Sequence, residues 1–317
     1  MGAAPLRGDF GVAPNRGAEA AHDAAVLLAE ETTRLEQEID CCDVVIARLR
    51  HAPELQLRQQ VAWALIRKGL TLRELGRAEQ AIAVYEDLVA QFGADAELQL
   101  REQIARAFVY KGNTLRTLGR GKHAIVAYDE VVARFGASSE LQLREQVAAA
   151  LVNKGVRLGY LGCGEEEIAV YDVVVARFGA DAEPQLRTQV AMALVNKALR
   201  LGAIGSRGEE IAVYGDVVAR FGGDEEPLVR EQVAKALVNK GFVLGERGDC
   251  EQELAIYDDV SARFDRDTEW EVRRQVLRAD RSKEIRRGKL AAGHEIIISN
   301  ELAPRFRRLT VIMGTRR

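Results

Sequence analysis

Proline and cysteine are scarce in this 317-residue chain, with six of the first and four of the second, and aromatic residues make up only 6%. So few prolines leave long stretches in which no backbone donor is missing and no φ is fixed, and little interrupts a helix. Ala, Leu, Val, Glu and Arg are abundant instead. Most of these lose little rotamer freedom on a helix, so almost no sheet is expected. Cys41 and Cys42 are neighbours, while Cys163 and Cys250 stand far apart. That pattern offers neither a disulfide framework nor a CxxC metal spacing, and it points to a reducing compartment. No stretch approaches the ~20 apolar residues of a membrane span, and the opening MGAAPLRGDFGVAPNRG lacks the apolar core of a signal peptide. A cytoplasmic protein with no membrane partner is expected. Residues 1–14, mostly Gly, Ala and Pro with little to bury, are expected to be disordered.

Reactive constellations are lacking too. The histidines, His22, His51, His123 and His294, pair with no cysteine or carboxylate at metal or triad spacing. The glycines of GYLGCG (159–164) follow no strand, so they read as a turn and not as a phosphate cradle. No catalytic residue, metal or cofactor is assigned, and nothing points to a small-molecule substrate. The net charge is only −3, yet residues 270–317 hold 13 Lys or Arg against 5 Asp or Glu. Such a basic end can attract acidic partners or nucleic acid, although a solvated face is the simpler reading.

What is present is a repeat. Tyr falls at 85, 128, 171, 214 and 257, and Phe at 92, 135, 178, 221 and 264. Arg recurs from 58 to 273, Gln from 60 to 275 and Lys from 68 to 283, always 43 residues apart. Five complete repeats run 55–97, 98–140, 141–183, 184–226 and 227–269. The third and fourth share 29 of 43 residues. Each repeat carries two patterns of apolar residues at helical spacing, separated by glycine. In the fifth, Arg230, Val233, Ala234, Leu237, Gly241 and Leu244 share one helix face. Gly93, Gly136, Gly179 and Gly222 suit a left-handed helix end, Asp95, Asp181, Asp224 and Asp267 are candidate N-caps, and Pro184 and Pro227 fit a first turn. A hairpin this short cannot cover its own apolar stripe, so the repeats must stack into an α-solenoid. Residues 15–54 and 270–317 keep the pattern in degenerate form and read as caps. In the last, NELAPRF (300–306) echoes DDVSARF (258–264).

The heart of the repeat resembles the tetratricopeptide repeat. ALIRKGLTLRELGRAEQAIAVYEDLV (64–89) places Gly69 at the motif's eighth position, Leu72 at the eleventh, Gly76 at the fifteenth, Ala81-Ile82 at the twentieth and Tyr85 at the twenty-fourth. The likeness covers roughly 15–311 and recurs in phase five times. It implies an all-α, right-handed superhelix of antiparallel helix pairs that binds a protein or an extended peptide in its concave groove. The sequence departs from the family in three ways. Each repeat has 43 residues where the motif has about 34, Lys stands at the seventh position, and Glu167, Glu210 and Glu253 stand at the twentieth.

In the family the sixth position points into the groove. Here it reads Arg67, Tyr110, Asn153, Asn196 and Asn239, with Arg106, Asn113 and Lys235 at second and ninth positions on the same face. An Asn amide both donates and accepts, so it can pair with a peptide backbone of any sequence. The basic side chains resemble the clamp that some family members close on C-terminal peptides. A merely solvated polar face explains the asparagines equally well, as does copying by duplication. The Lys row reads as structural, each stem lying over apolar surface and each ammonium pairing with an acid one or two places after a Tyr. The repeated Arg and Gln read as hydrogen-bonding groups between repeats. The expected function is a non-enzymatic scaffold or adaptor. The alternative is a regulatory module that senses a small peptide or contacts nucleic acid through its basic end.

Overall fold

The structure is a computed structural model that describes residues 16–291, with side chains described over 25–288. Residues 1–14, expected to be disordered, and the NELAPRF echo lie outside the described residues. Twelve helices account for the described chain: α1 (Arg16–Leu49), α2 (Leu55–Glu74), α3 (Ala78–Phe92), α4 (Leu98–Thr117), α5 (Gly121–Phe135), α6 (Leu141–Tyr160), α7 (Gly164–Phe178), α8 (Pro184–Ala203), α9 (Arg207–Phe221), α10 (Pro227–Glu246), α11 (Cys250–Phe264) and α12 (Trp270–Ala291). The fold is all-α, a solenoid-type array of helix pairs in which a 20-residue helix is followed by one of 15.

The chain divides into two compact units, Met1–Thr114 and Leu115–Arg317. In the first, α2 packs against α1 on one side and α3 on the other. α1 is a single 34-residue helix. Leu35, Ile39, Cys42 and Ile46 on its second half are buried, whereas Val26, Leu27 and Leu28 are exposed. In the second unit α7 packs between α6 and α8, α9 between α8 and α10, and α11 between α10 and α12. The long helices also touch one another, α6 on α8, α8 on α10 and α10 on α12, whereas among the described residues the short helices do not. Within this unit the long helices therefore form a closed layer and the short ones a splayed layer.

One contact sets the spacing of each pair. The tyrosine at the twenty-fourth position is fully buried in every repeat, and in the first, third and fifth one edge of its ring lies against a glycine on the preceding long helix, where the fourth has Ala198. A Cβ at Gly155 would stand 2.5 Å from Cε1 of Tyr171, and one at Gly241 2.7 Å from Cε1 of Tyr257. Real Cβ atoms do not approach a ring so closely, so the small eighth residue is what lets the large twenty-fourth one in. Burying such a side chain stabilises by about 1.5–3 kcal/mol.

Two sequence expectations about helix ends need correction. Gly93, Gly136, Gly179 and Gly222 are not left-handed, with φ near −60°. Each donates its N–H to the carbonyl four residues back, so the helical ladder runs through it. Asp265 occupies the same place in the fifth repeat. The left-handed glycines are those inside the hairpin, Gly76, Gly119, Gly162, Gly205 and Gly248, with φ from 74° to 89°. The aspartates are not N-caps either, because a glutamate such as Glu183 or Glu226 holds that position without a side-chain bond. Asp95, Asp181, Asp224 and Asp267 instead accept from the arginine 37 residues earlier, with Arg144 Nη2 to Asp181 at 2.7 Å and Arg230 Nε to Asp267 at 2.9 Å. Pro184 and Pro227 do open their helices.

Candidate functional site

The long helices carry every candidate groove residue. In the first unit, Arg67 pairs with Glu38 and lies 5.6 Å from the ring centre of Trp63. Tyr110 tilts against Tyr85 with ring centres 6.1 Å apart. Arg106 pairs with Glu102 one turn back at 2.7 Å, and Asn113 is engaged as well. In the second unit Asn153, Asn196 and Asn239 occupy equivalent places on α6, α8 and α10, three helices that pack in succession. Lys235 pairs with Glu231 at 2.5 Å.

Asn196 has an internal task. Its amide lies beside the hydroxyl of Tyr171, the buried tyrosine of the preceding repeat, and opposes the rise that burial gives that phenol's pKa. Ser282 does the same for Tyr257. A sixth-position polar group therefore stands against a hydroxyl that packing has removed from water. Asn153 and Asn239, half-buried at the same place, make no side-chain hydrogen bond among the described residues.

The lysine row behaves as ion pairing requires, with one exception. Each ammonium reaches back 25 residues to an acid on the preceding helix: Lys68 to Asp43 of α1 at 2.5 Å, Lys111 to Glu86 at 2.7 Å, Lys154 to Asp129 at 2.6 Å, Lys283 to Asp258 at 3.0 Å, and Lys197 to Asp172. Lys240 has no such acid because Gly215 stands at that place. The expectation that Asp216 would serve is corrected, since Asp216 pairs with Arg220 on its own helix at 2.7 Å. Lys240, next to Asn239, is left with no ion pair among the described residues. Sequence reading missed this cation, although the broken 43-residue phase at 215 marks it.

The three glutamates at the twentieth position are buried, and they pack because glycine faces them. A Cβ at Gly159, Gly202 or Gly245 would overlap the carboxylates of Glu167, Glu210 and Glu253. Glu167 pairs with Arg200 and Glu253 with Arg286, both arginines coming from the following long helix. Glu210 takes Arg207 of its own helix at 2.8 Å. Burial raises the Glu167 carboxyl above its ordinary value against the opposing pull of Arg200. Four of the eight basic residues of α12 are ion-paired in place, Arg274 with Glu271, Lys283 and Arg287 with Asp258, and Arg286 with Glu253. Arg307 and Arg308 lie outside the described residues.

Among the described residues no group of three or more His, Cys, Asp or Glu could hold a metal, and no helix is long and apolar enough to cross a membrane. No family model matches the sequence, and no curated protein matches it. Among solved structures, BtubC (BKLC) from P. vanneervenii is similar at 15% identity and a TM-score of 0.57, over 72% of this chain and 90% of that one. A tetratricopeptide repeat protein from Parabacteroides merdae matches at 11% identity and a TM-score of 0.40, over 82% and 99% of the two chains. The TPR domain of P58(IPK) matches at 14% identity and a TM-score of 0.24, over 85% and 70%. The likeness to BtubC is one of fold. The repeats are TPR-like helix pairs, closed in the first, third and fifth by a glycine against a buried tyrosine.

Proposed function

We propose that this chain is a non-enzymatic scaffold or adaptor whose layer of long helices binds an extended peptide of a partner protein. In this reading 55–97, 98–140, 141–183, 184–226 and 227–269 are the working repeats, and 15–54 and 270–317 are caps. The observation that carries it is the unspent polar chemistry of the closed layer in the second unit. The side chains of Asn153, Asn239 and Lys240 make no hydrogen bond or ion pair among the described residues, whereas Lys154, Lys197, Lys235 and Lys283 on the same layer are paired. Neighbouring helices stand about 8–10 Å apart, and an extended chain advances about 3.3 Å per residue. One amide per helix would thus grip roughly every third ligand residue, with Lys240 taking an acidic side chain or a terminal carboxylate.

The test is selection of peptides from a random display library on the full chain, followed by titration of a selected peptide against Asn153→Ala/Asn239→Ala. Each lost backbone contact is worth about 1 kcal/mol, roughly fivefold in Kd. Because neither amide is bonded within the fold, the melting temperature should stay put. Unchanged affinity would remove these residues from the site. The pairing of half of α12's cations weighs against nucleic acid. A bound oligonucleotide whose affinity falls steeply with salt would reverse that judgement.

A further inference from the structure

At the tenth position of the long helices, Arg200 and Arg286 each reach a buried glutamate of the preceding repeat. Arg157 holds the same place one repeat earlier, but the residue facing it is Ala124, and no carboxylate is there. Its Nε, the atom through which Arg200 bonds Glu167, is buried without a hydrogen-bond partner. Its stem is fixed, since a Cβ at Gly121 would stand 3.0 Å from its Cδ. The guanidinium lies 4.5 Å from the ring centre of Tyr160, itself 53% exposed, and Arg157 as a whole is half-buried. The repeat register sets a second cation beside it, since a Cβ at the twelfth-position Gly159 of the third repeat would stand 2.5 Å from Arg200 Nη2. In the third to fifth repeats the twelfth position is glycine, but in the second it is Arg116. Burial and the proximity of Arg116 both make it harder for Arg157 to hold its proton, and both arginines bear on the Tyr128 hydroxyl. Neither Arg116 nor Arg157 has an ion pair among the described residues. Two neighbouring cations with no anion are costly, so this is where the fold has most to gain from one.

We propose that Arg116 and Arg157 form an oxyanion-binding site that takes a carboxylate from outside the chain, in the place that Glu167 and Glu253 fill in the later repeats. Carboxylate is the chemistry because the same backbone frame already directs an arginine Nε at a carboxylate oxygen in the third repeat. A guanidinium edge engages a carboxylate through two parallel N–H donors, and Arg116 balances the remaining charge. The site does not rest on the asparagines or on Lys240, and it survives if the peptide-binding reading fails.

The experiment uses the full chain labelled with 15N-arginine, titrated with a tetraglutamate peptide, acetylated at one end and amidated at the other, and, separately, with inorganic phosphate at matched ionic strength. The expected result is a saturable shift of the Arg116 and Arg157 Nε–H signals with the peptide. Arg157→Gln and Arg116→Gln should each weaken binding at least tenfold, and Arg73→Gln should leave it unchanged. Arg157→Gln should also hold or raise the melting temperature of the free protein, because it removes a half-buried cation beside a like charge. An arginine with a structural role would lower it. A Kd weaker than about 1 mM, binding that survives Arg157→Gln, or a response to phosphate alone would overturn the proposal.

Discussion

The first repeat and the third solve one packing problem in opposite ways. In the first, Arg73 stands at the twelfth position and the small Ala81 at the twentieth, Thr114 is buried at the tenth position of the next long helix, and the Tyr85 hydroxyl has no hydrogen-bond partner. In the third, Gly159 faces Glu167, Arg200 comes in from the next helix, and the Tyr171 hydroxyl bonds Glu167 at 3.2 Å. The helix-to-helix distance is fixed by Gly against Tyr in both, so the space beside the ring is constant and its contents must change together. The comparison shows that the twelfth, twentieth and tenth positions are one unit of choice, neutral or ionic. A buried ion pair is no stronger a solution than an apolar one, but it cannot be half made.

The largest effect should come from forcing one solution halfway into the other. Gly159→Arg puts a side chain where the Glu167 carboxylate sits, and overpacking plus displacement of a buried charge should cost about 3 kcal/mol, read as a lower urea midpoint. Adding Glu167→Ala recreates the Arg116, Ala124 and Arg157 arrangement, and it should recover more than half of that loss while creating a second carboxylate site. Additive losses in the double variant would refute the coupling. Arg200→Leu should be milder. It strands a buried carboxylate, but Arg200 itself is 23% exposed, so about 2 kcal/mol is expected where a fully buried pair would lose more. Glu167→Ala on top of it should restore most of the stability.

Acid separates the two kinds of carboxylate without mutation of the frame. Burial raises the folded pKa of Glu167 above its ordinary 4.5. The folded state therefore takes up that proton first, and this site gains stability as pH falls through the raised value toward 4.5. Asp224 and Asp267 go the other way. Burial alone would raise them, but hydrogen bonds from Arg187 and Arg230 hold them below their ordinary 3.8. Their contribution is complete above 3.8 and is lost as pH falls through the folded values. Thermal melts across this range should show Glu167→Gln flattening the gain above pH 4.5 and Asp224→Asn flattening the loss below 3.8. Identical profiles for both variants and wild type would mean that neither carboxylate feels its surroundings as described.

The 43-residue phase in the sequence already contained the helix pairs, because a spacing held five times by Tyr, Phe, Arg, Gln and Lys admits one register. The ion-pair pattern was readable in part, since Lys at the seventh position and an acid after each Tyr are both periodic. The failures lie where two departures from the period compensate each other. Gly159 and Glu167 each look anomalous alone, and only their contact, eight residues apart across a turn, makes sense of both. Glycine at a helix end was likewise misassigned. Left-handed geometry and continued helix leave the same letter, and only the turn inside the hairpin required φ near +80°. For the candidate site, the repeat register could place Asn153, Asn196 and Asn239 on one face, but not reveal that Asn196 lies against the buried Tyr171 hydroxyl.

The smallest effect concerns the one break in the lysine row. Gly215 interrupts α9 where Asp or Glu stands in the neighbouring repeats, and a Cβ there would meet only Lys240 Nζ, at 3.7 Å, an ordinary contact. Gly215→Asp should therefore fit without strain. It removes a glycine from a helix interior, worth a few tenths of a kcal/mol against aspartate, and it gives Lys240 the partner that Lys197 finds in Asp172. Such part-exposed pairs add about 0.2–1 kcal/mol, so the variant should gain roughly 0.5 kcal/mol in all, with the ionic share fading in high salt. The same change withdraws Lys240 from any ligand. If Lys240 takes a peptide carboxylate, Gly215→Asp should raise stability and weaken binding of the selected peptide in one step. Higher stability with undiminished binding would confine Lys240 to the fold and leave recognition to the asparagines.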